Sequence, residues 1–270
     1  MSQEAIMRSF LLGALLLAQC LGIRPTGAQN PNPVSTTAKA QKSLKIPVGT
    51  VLPVRLNHGF SSKSATEGRE ITGRIMQDVP LANQQKIPEG AKVLGTIVSV
   101  VKGGPNGCGR IAFRFDTLEI HHHRVPLVTN LRAIAGFMEV QFAQTPETSP
   151  GFGTPTTWVT TRQIGGDEVY GVGGPVTDQS NNHVGKGVFG GVLAHVRAQP
   201  GSKCRGPMDN EDRLQALWVF SSDACGVYGM EGVTIAHAGR TEPLGEIVLE
   251  AEHGDVLVSG ASGMLLRVIR

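Results

Sequence analysis

The feature that most constrains this chain is a short turn of proline and glycine that occurs twice. Ile-Pro-Val-Gly at 46–49 returns as Ile-Pro-Glu-Gly at 87–90, and a run rich in apolar residues follows each copy. We expect Pro47 and Pro88 at the first corner of a type I turn, because the proline ring holds φ at about −65°. Gly49 and Gly90 then let the chain leave the turn without a Cβ clash. The repeat therefore predicts that each turn starts a strand.

Strand patterns continue along most of the remaining chain. Alternating or continuous apolar residues occur at 50–56, 70–79, 92–101, 110–120, 131–142, 214–220, 233–236, 245–251, 255–259 and 264–269. A short helical turn is expected at Asp209 or Asn210, but no longer helical period is present. Pro53 has no N–H to donate, so we expect it at a sheet edge or an unpaired position. The pattern predicts an all-β fold, a barrel or sandwich of about ten short strands with a long Gly/Pro-rich insertion.

Composition divides the chain into five segments. Residues 1–28 combine an early basic residue, an apolar run and a small-residue end, which is the pattern of a cleaved secretory signal peptide. A competing interpretation makes Cys20 a lipidated cysteine, although the glutamine before it is a poor fit to that motif. The other segments are a polar tether at 29–43, half of a β domain at 44–143, the Gly/Pro-rich excursion at 144–208 and the second half at 209–270. We therefore expect a periplasmic or secreted protein with no transmembrane segment after signal cleavage.

The cysteines fit an oxidising compartment. Cys204 and Cys225 are the natural disulfide pair of an exported chain. Cys108 is then left over in a glycine-rich loop, where it can bond one of the other two or remain a free thiol.

Charge and aromatic content exclude some partners. The formal net charge is only +3, the basic residues are scattered, and aromatic residues make up 5% of the chain. Nucleic-acid grooves combine clustered basic residues with aromatic ones, so no nucleic-acid partner is expected. We predict no cofactor, and a partner that is an envelope protein or a cell-wall component.

The first third of the chain has motifs of a known family. The paired turns, the following Leu-Gly-Thr-Ile-Val at 94–98 and Arg-Ile-Ala-Phe-Arg-Phe at 110–115 resemble the β-barrel domain of the conjugal-transfer (TrbI-type) channel scaffold of type IV secretion systems. The resemblance covers about 46–115 and implies a β-barrel that scaffolds an envelope assembly. The chain differs from the family in its cleavable signal and in lacking a counterpart of the family's helical hairpin.

Two clusters of side chains are candidates for chemistry. Glu119, His121 and His123 share one face if the chain is extended there, so they could approach one metal ion beside a hairpin tip. The other interpretation is a solvated tip. Cys225, with His237 or His195 and with Arg240, could form a cysteine nucleophile and its base, but a disulfide with Cys204 explains the same cysteine.

Two further patterns lie in the excursion. Gly-Lys-Gly-Val-Phe-Gly at 185–190 matches the letters of a dinucleotide motif, but no strand-to-helix context is predicted, so we interpret it as chance. Trp158, Tyr170 and Phe189 could line a glycan or peptide groove, or could pin the excursion to the β domain.

These patterns favour a non-enzymatic exported envelope protein that acts as a β scaffold or binding module. The alternative is a cell-envelope hydrolase or transpeptidase that uses Cys225. The excursion and the sheet edge near Pro53 are the expected contact surfaces, because loops on a rigid scaffold most often carry function.

Overall fold

A computed structural model describes residues 44–104, 107–146, 160–171, 173–198, 200–206 and 209–270. The predicted signal peptide, the tether, Cys20 and Trp158 lie outside the described residues. Within the described ranges no helix has the length and apolar character needed to cross a bilayer.

The two Pro-Gly turns have the same backbone structure. Thr50 N–H donates to the carbonyl of Pro47 and Ala91 N–H to that of Pro88, both at 3.2 Å. Proline is therefore the first residue of each turn, not the first corner, and the glycine at the third position has a φ of 86° in one copy and 82° in the other. A positive φ at this position defines a type II turn, so the predicted type I geometry is wrong.

Both turns start strands of one sheet, as the sequence predicts. This sheet has ten strands: β1 Val51–Leu56, β3 Glu70–Ile75, β6 Lys92–Val101, β7 Arg110–Ile120, β8 His123–Pro126, β9 Thr129–Ala135, β16 Gly226–Tyr228, β17 Val233–Ala238, β18 Ile247–Ala251 and β20 Gly263–Val268. Their order in the sheet is β16-β9-β20-β1-β3-β6-β7-β18-β17, with β8 paired to β7.

A second, six-stranded sheet is built mostly from the Gly/Pro-rich excursion. Its strands, in sheet order, are β10 Thr160–Arg162, β11 Glu168–Tyr170, β12 Pro175–Thr177, β13 His183–Val188, β14 Gly191–His195 and β15 Leu214–Ala216. Short two-stranded pairs complete the list of strands: β2 Phe60–Ser61 with β19 Leu257–Val258, and β4 Val79–Pro80 with β5 Lys86–Ile87. The all-β prediction is confirmed, but about ten strands was too few because the excursion's short strands lack apolar runs.

Two hydrophobic clusters pack against opposite faces of the large sheet. Met264, Leu266 and Val268 of β20 belong to the first cluster, whereas Leu265 belongs to the second cluster, with valines of the second sheet. Alternate side chains of a strand point to opposite faces, so β20 is buried throughout its length. The two sheets therefore form a sandwich-like arrangement around this strand.

A buried glutamine joins the two sheets. Gln77 is fully buried; its Oε1 accepts from the backbone N–H of Trp218 at 2.5 Å and its Nε2 donates to the carbonyl of Val192 at 2.9 Å. Trp218 is itself buried and has a φ of 55°. Gln77 follows β3 of the large sheet, whereas its partners belong to the second sheet: Val192 lies in β14, and Trp218 lies in the turn after β15.

Two local expectations are wrong, and one of two alternatives for a third is correct. Pro53 lies in β1, which is a central strand between β20 and β3, so no sheet edge is present there. The register of β1 with β3 begins only at Val54, so Pro53 occupies an unpaired position on that side, which was the alternative expectation. The segment 131–142 divides into the end of β9 and helix α1, Phe137–Ala143. Asp209 and Asn210 lie in a non-helical turn, where the Asp209 carboxylate accepts from the backbone N–H of Gly206 at 3.0 Å.

Candidate functional site

The large sheet does not close on itself, and a cavity lies where it stays open. Its end strands β16 and β17 are joined by a short turn, but no ladder pairs them within the described ranges. The cavity between them has a volume of about 640 Å³, within the usual size of ligand sites. We call it the seam cavity; its lining is Leu131, Arg132, Lys203, Cys204, Cys225, Gly226, Val227, Val233, Thr234, Ile235, Ala236, His237, Ala238, Arg240 and Thr241.

One strand edge of the seam cavity has unused backbone groups. Glu252 N–H donates to the carbonyl of Gly232, and Thr234 is paired with Glu250 of β18 in the same register. Antiparallel pairs alternate between hydrogen-bonded and non-hydrogen-bonded, so Ile235 directs its N–H and C=O away from β18. That direction leads to the seam, and no other strand of the described structure pairs with this edge of β17.

The disulfide predicted from sequence forms one wall of the cavity. Cys204 and Cys225 are bonded, with their Cα atoms 5.7 Å apart. The backbone N–H of Cys225 donates to the hydroxyl of Tyr228 at 3.0 Å, and burial raises the pKa of that phenol. Cys225 therefore has no thiolate in this structure, and its predicted alternative role as a nucleophile lacks the reacting atom.

Behind this wall lies a buried ion-pair cluster that the sequence did not reveal. Asp209 binds Arg132 at 3.0 Å and also pairs with Arg267, and all three side chains are 1% exposed. Both arginines also donate to the carbonyl of Cys204, at 3.3 and 3.4 Å. The cluster thus ties the disulfide to strands β9 and β20.

Arg240 makes this part of the molecule strongly cationic. Burial, and secondarily the charge of Arg132, lower the pKa of Arg240, while burial lowers the pKa of Arg267 to about 10. The pKa of Arg267 stays well above 7 even so, and its guanidinium keeps its charge at neutral pH. Asp209 is the one carboxylate that forms an ion pair with these arginines in the described residues, which leaves the positive charge in excess.

The polar groups of the cavity are incompletely paired. Arg240 donates one N–H to the carbonyl of Leu131 at 3.4 Å, and the described structure gives its guanidinium no other hydrogen bond. The Nε atoms of Arg132 and Arg240 are buried without a partner in the protein. Lys203 is exposed and forms no ion pair with any described residue. Buried donors without acceptors are costly, so an anion from outside would be favoured here.

Of the two histidines predicted as partners of Cys225, one lines the seam cavity and the other lies in the second sheet. His237 lines the cavity, but its Nδ1 donates to the carbonyl of Glu246 at 2.6 Å and its Nε2 lies 3.0 Å from the hydroxyl of Thr241. His195 lies on β14 of the second sheet, with Nδ1 3.2 Å from the carbonyl of Glu211. Of the predicted catalytic group, Cys225, His237 and Arg240 share the cavity and His195 does not.

The proposed metal ligands do not converge. His121 and His122 have φ values of 46° and 67°, so the chain is not extended there and the alternation assumed for Glu119, His121 and His123 fails. Glu119 is instead held by Lys92 at 3.0 Å and Arg124 at 3.5 Å, and the hydrogen bond from Lys92 lowers its pKa. Among the described residues, no group of three or more His, Cys, Asp or Glu side chains is placed to hold a metal ion.

The patterns noted in the excursion fall at separate places. The glycine motif at 185–190 lies in the hairpin of β13 and β14, not between a strand and a helix. Tyr170 donates its hydroxyl to Glu168 at 2.9 Å, whereas Phe189 is 88% exposed at the hairpin tip and lines a different cavity. Cys108 is an exposed free thiol, 3.2 Å from the carbonyl of Glu252.

Sequence reasoning missed Arg132, Lys203 and Asp209. These residues belong to no short motif, and their association depends on contacts between segments far apart in the chain. A buried arginine inside an apolar strand, as Arg132 is in β9, is the one signal that could have indicated the site. Comparisons with protein-family models, with curated proteins and with solved structures found no match to this chain.

Proposed function

We propose that this protein is a non-enzymatic, exported protein of the cell envelope that acts as a β scaffold and binds an extended segment of a partner protein in the seam cavity. The Cys204–Cys225 disulfide supports export, because such bonds persist mainly in oxidising compartments. The signal-like segment at 1–28 agrees with this assignment.

The observation that carries the proposal is the free edge of β17 beside an apolar cavity. An unpaired strand edge offers a row of N–H and C=O groups to another chain. Proteins that recognise peptides by strand addition obtain affinity from these main-chain hydrogen bonds and specificity from adjacent pockets. Val233 and Ile235 of β17, and Val227 of β16 across the seam, give the cavity apolar lining.

The disulfide supports a binding role over the enzymatic alternative. A cysteine hydrolase or transpeptidase needs the Cys225 thiolate, whereas a binding site benefits from a covalently fixed wall. The relation to conjugal-transfer channel scaffolds, based on residues 46–115, stays a prediction.

Peptide selection tests the proposal. The disulfide-intact protein is screened against two libraries of short randomised peptides, one fused to its carrier through the N-terminus and the other through the C-terminus. We expect enrichment of peptides rich in β-branched residues, and their synthetic copies should protect the amide of Ile235 from hydrogen exchange. Ala236→Trp should block binding by filling the cavity, whereas Ala82→Trp, at another exposed alanine, should not.

Two results would contradict the proposed binding of a peptide in the seam cavity. Enrichment in neither library would overturn the proposal. So would enriched peptides whose affinity is unchanged by Ala236→Trp, because those peptides would bind at another surface.

A further inference from the structure

The seam cavity has charge at one end only. Arg132, Lys203 and Arg240 line it, and no carboxylate does. These cationic residues lie where the strands β16 and β17 diverge, next to the disulfide, because Cys225 precedes β16 and Arg240 follows β17. The opposite end is the short turn that joins the two strands. A ligand that fits both features has an apolar body and an anionic end.

A peptide carboxylate meets these demands better than a highly charged anion. Two parallel N–H groups of a guanidinium match the two oxygens of a carboxylate, and such charge-assisted bonds are stronger than neutral ones. Most of the remaining lining is apolar or backbone, which suits the last residues of an extended chain.

We propose that the segment bound in the seam cavity ends there, with its C-terminal carboxylate on Arg240 and Lys203. This inference rests on the proposed function and specifies its ligand. Since Arg240 follows the C-terminal end of β17, the bound segment runs parallel to β17 and antiparallel to β16. Its carboxylate compensates the excess positive charge of the cluster around Asp209.

The test compares one enriched peptide in three forms. The first has a free C-terminal carboxylate, the second is a C-terminal amide, and the third is a C-terminal amide whose last residue is replaced by aspartate. Each carries a fluorophore at its N-terminus, and affinity is measured by fluorescence anisotropy. We expect the free acid to bind at least about tenfold more tightly than the amide, since a hydrogen bond to a charged group typically accounts for that factor. The aspartate amide should bind no better than the plain amide.

Substitutions assign the effect to a side chain. Arg240→Gln should abolish the preference for the acid, so that acid and amide bind with equal affinity, and a circular-dichroism spectrum equal to that of the unsubstituted protein shows that the variant is folded. Lys203→Gln should reduce the preference by a smaller factor. Arg55→Gln, which removes an exposed arginine of β1, should leave both affinities as they were.

The outcomes separate this inference from the proposed function. Equal binding of acid and amide would overturn the carboxylate assignment and leave strand addition intact, whereas failure of every form would overturn both. Tight binding of the aspartate amide would overturn the C-terminal assignment in favour of an internal carboxylate. Displacement of the acid by an equimolar concentration of inorganic phosphate would overturn it in favour of a phosphate ligand.

Discussion

Asp209 and Arg267 form an ion pair in which each side chain is 1% exposed. Asp209 also binds Arg132, so one carboxylate holds two buried guanidinium groups. Removing one partner of a buried pair leaves an uncompensated charge. We therefore predict that Asp209→Ala lowers the free energy of unfolding by about 3–5 kcal/mol, measured by urea denaturation. Asp212→Ala removes an exposed neighbour and should change it by less than about 0.5 kcal/mol; a similar loss in both variants would contradict the buried-charge explanation.

The disulfide should contribute to stability through the unfolded chain. Cross-linking positions 204 and 225 restricts the unfolded ensemble, so the double variant Cys204→Ala, Cys225→Ala should lose about 3 kcal/mol of unfolding free energy. Calorimetry or denaturant titration measures the loss. Cys108→Ala is the matched control and should cost little, because that thiol is exposed.

Thiol labelling tests the same bond directly. In native, non-reduced protein an alkylating reagent should modify Cys108, the exposed free thiol. Peptide mapping should recover Cys204 and Cys225 in one linked fragment. Labelling of Cys225 without reduction would contradict this pairing and restore the nucleophile hypothesis.

We predict that the buried side-chain hydrogen bonds of Gln77 stabilise the fold. Gln77→Ala leaves the N–H of Trp218 unpaired in the interior, whereas the carbonyl of Val192 keeps its hydrogen bond from the N–H of Leu217 at 3.1 Å. One unsatisfied buried donor costs about 1–3 kcal/mol, so we expect a loss of that size in thermal or urea unfolding. Gln141→Ala, at an exposed position of α1, should have little effect; equal losses would mean that the link between the sheets does not stabilise the fold.

Asp178 should make stability depend on acid pH. The Asn182 side chain, followed by other donors that include Arg197, lowers the pKa of Asp178 to about 2. An unfolded aspartate has a pKa of about 3.9, so this stabilisation is present above that pH and is lost as pH falls from about 4 to about 2. As the pH falls through this window, the free energy of unfolding of Asp178→Asn should therefore decrease less than that of the wild type. Urea denaturation at several pH values measures this difference. An unchanged pH dependence would contradict the assignment.

Local sequence predicted much of the large sheet. The turns at Pro47 and Pro88 each precede a strand, and β7 and β20 follow the apolar patterns of their segments. The second sheet was missed because its strands are short and interrupted by glycine, so backbone pairing, not an apolar run, defines them. The metal hypothesis for Glu119 and the histidines after it failed because a turn with positive φ replaced the assumed extended chain.

The sequence by itself determined the all-β class, the two matching turns and the pairing of Cys204 with Cys225. Each depends on neighbouring residues or on few alternatives: φ preferences act within one turn, alternation acts within one strand, and three described cysteines allow few bonds. Only the tertiary structure decided that β16 and β17 do not pair with each other in the described ranges, and that Arg132, Asp209 and Arg267 meet behind the cavity. Such contacts join distant segments, so their geometry is set by how the sheets pack and not by any local pattern.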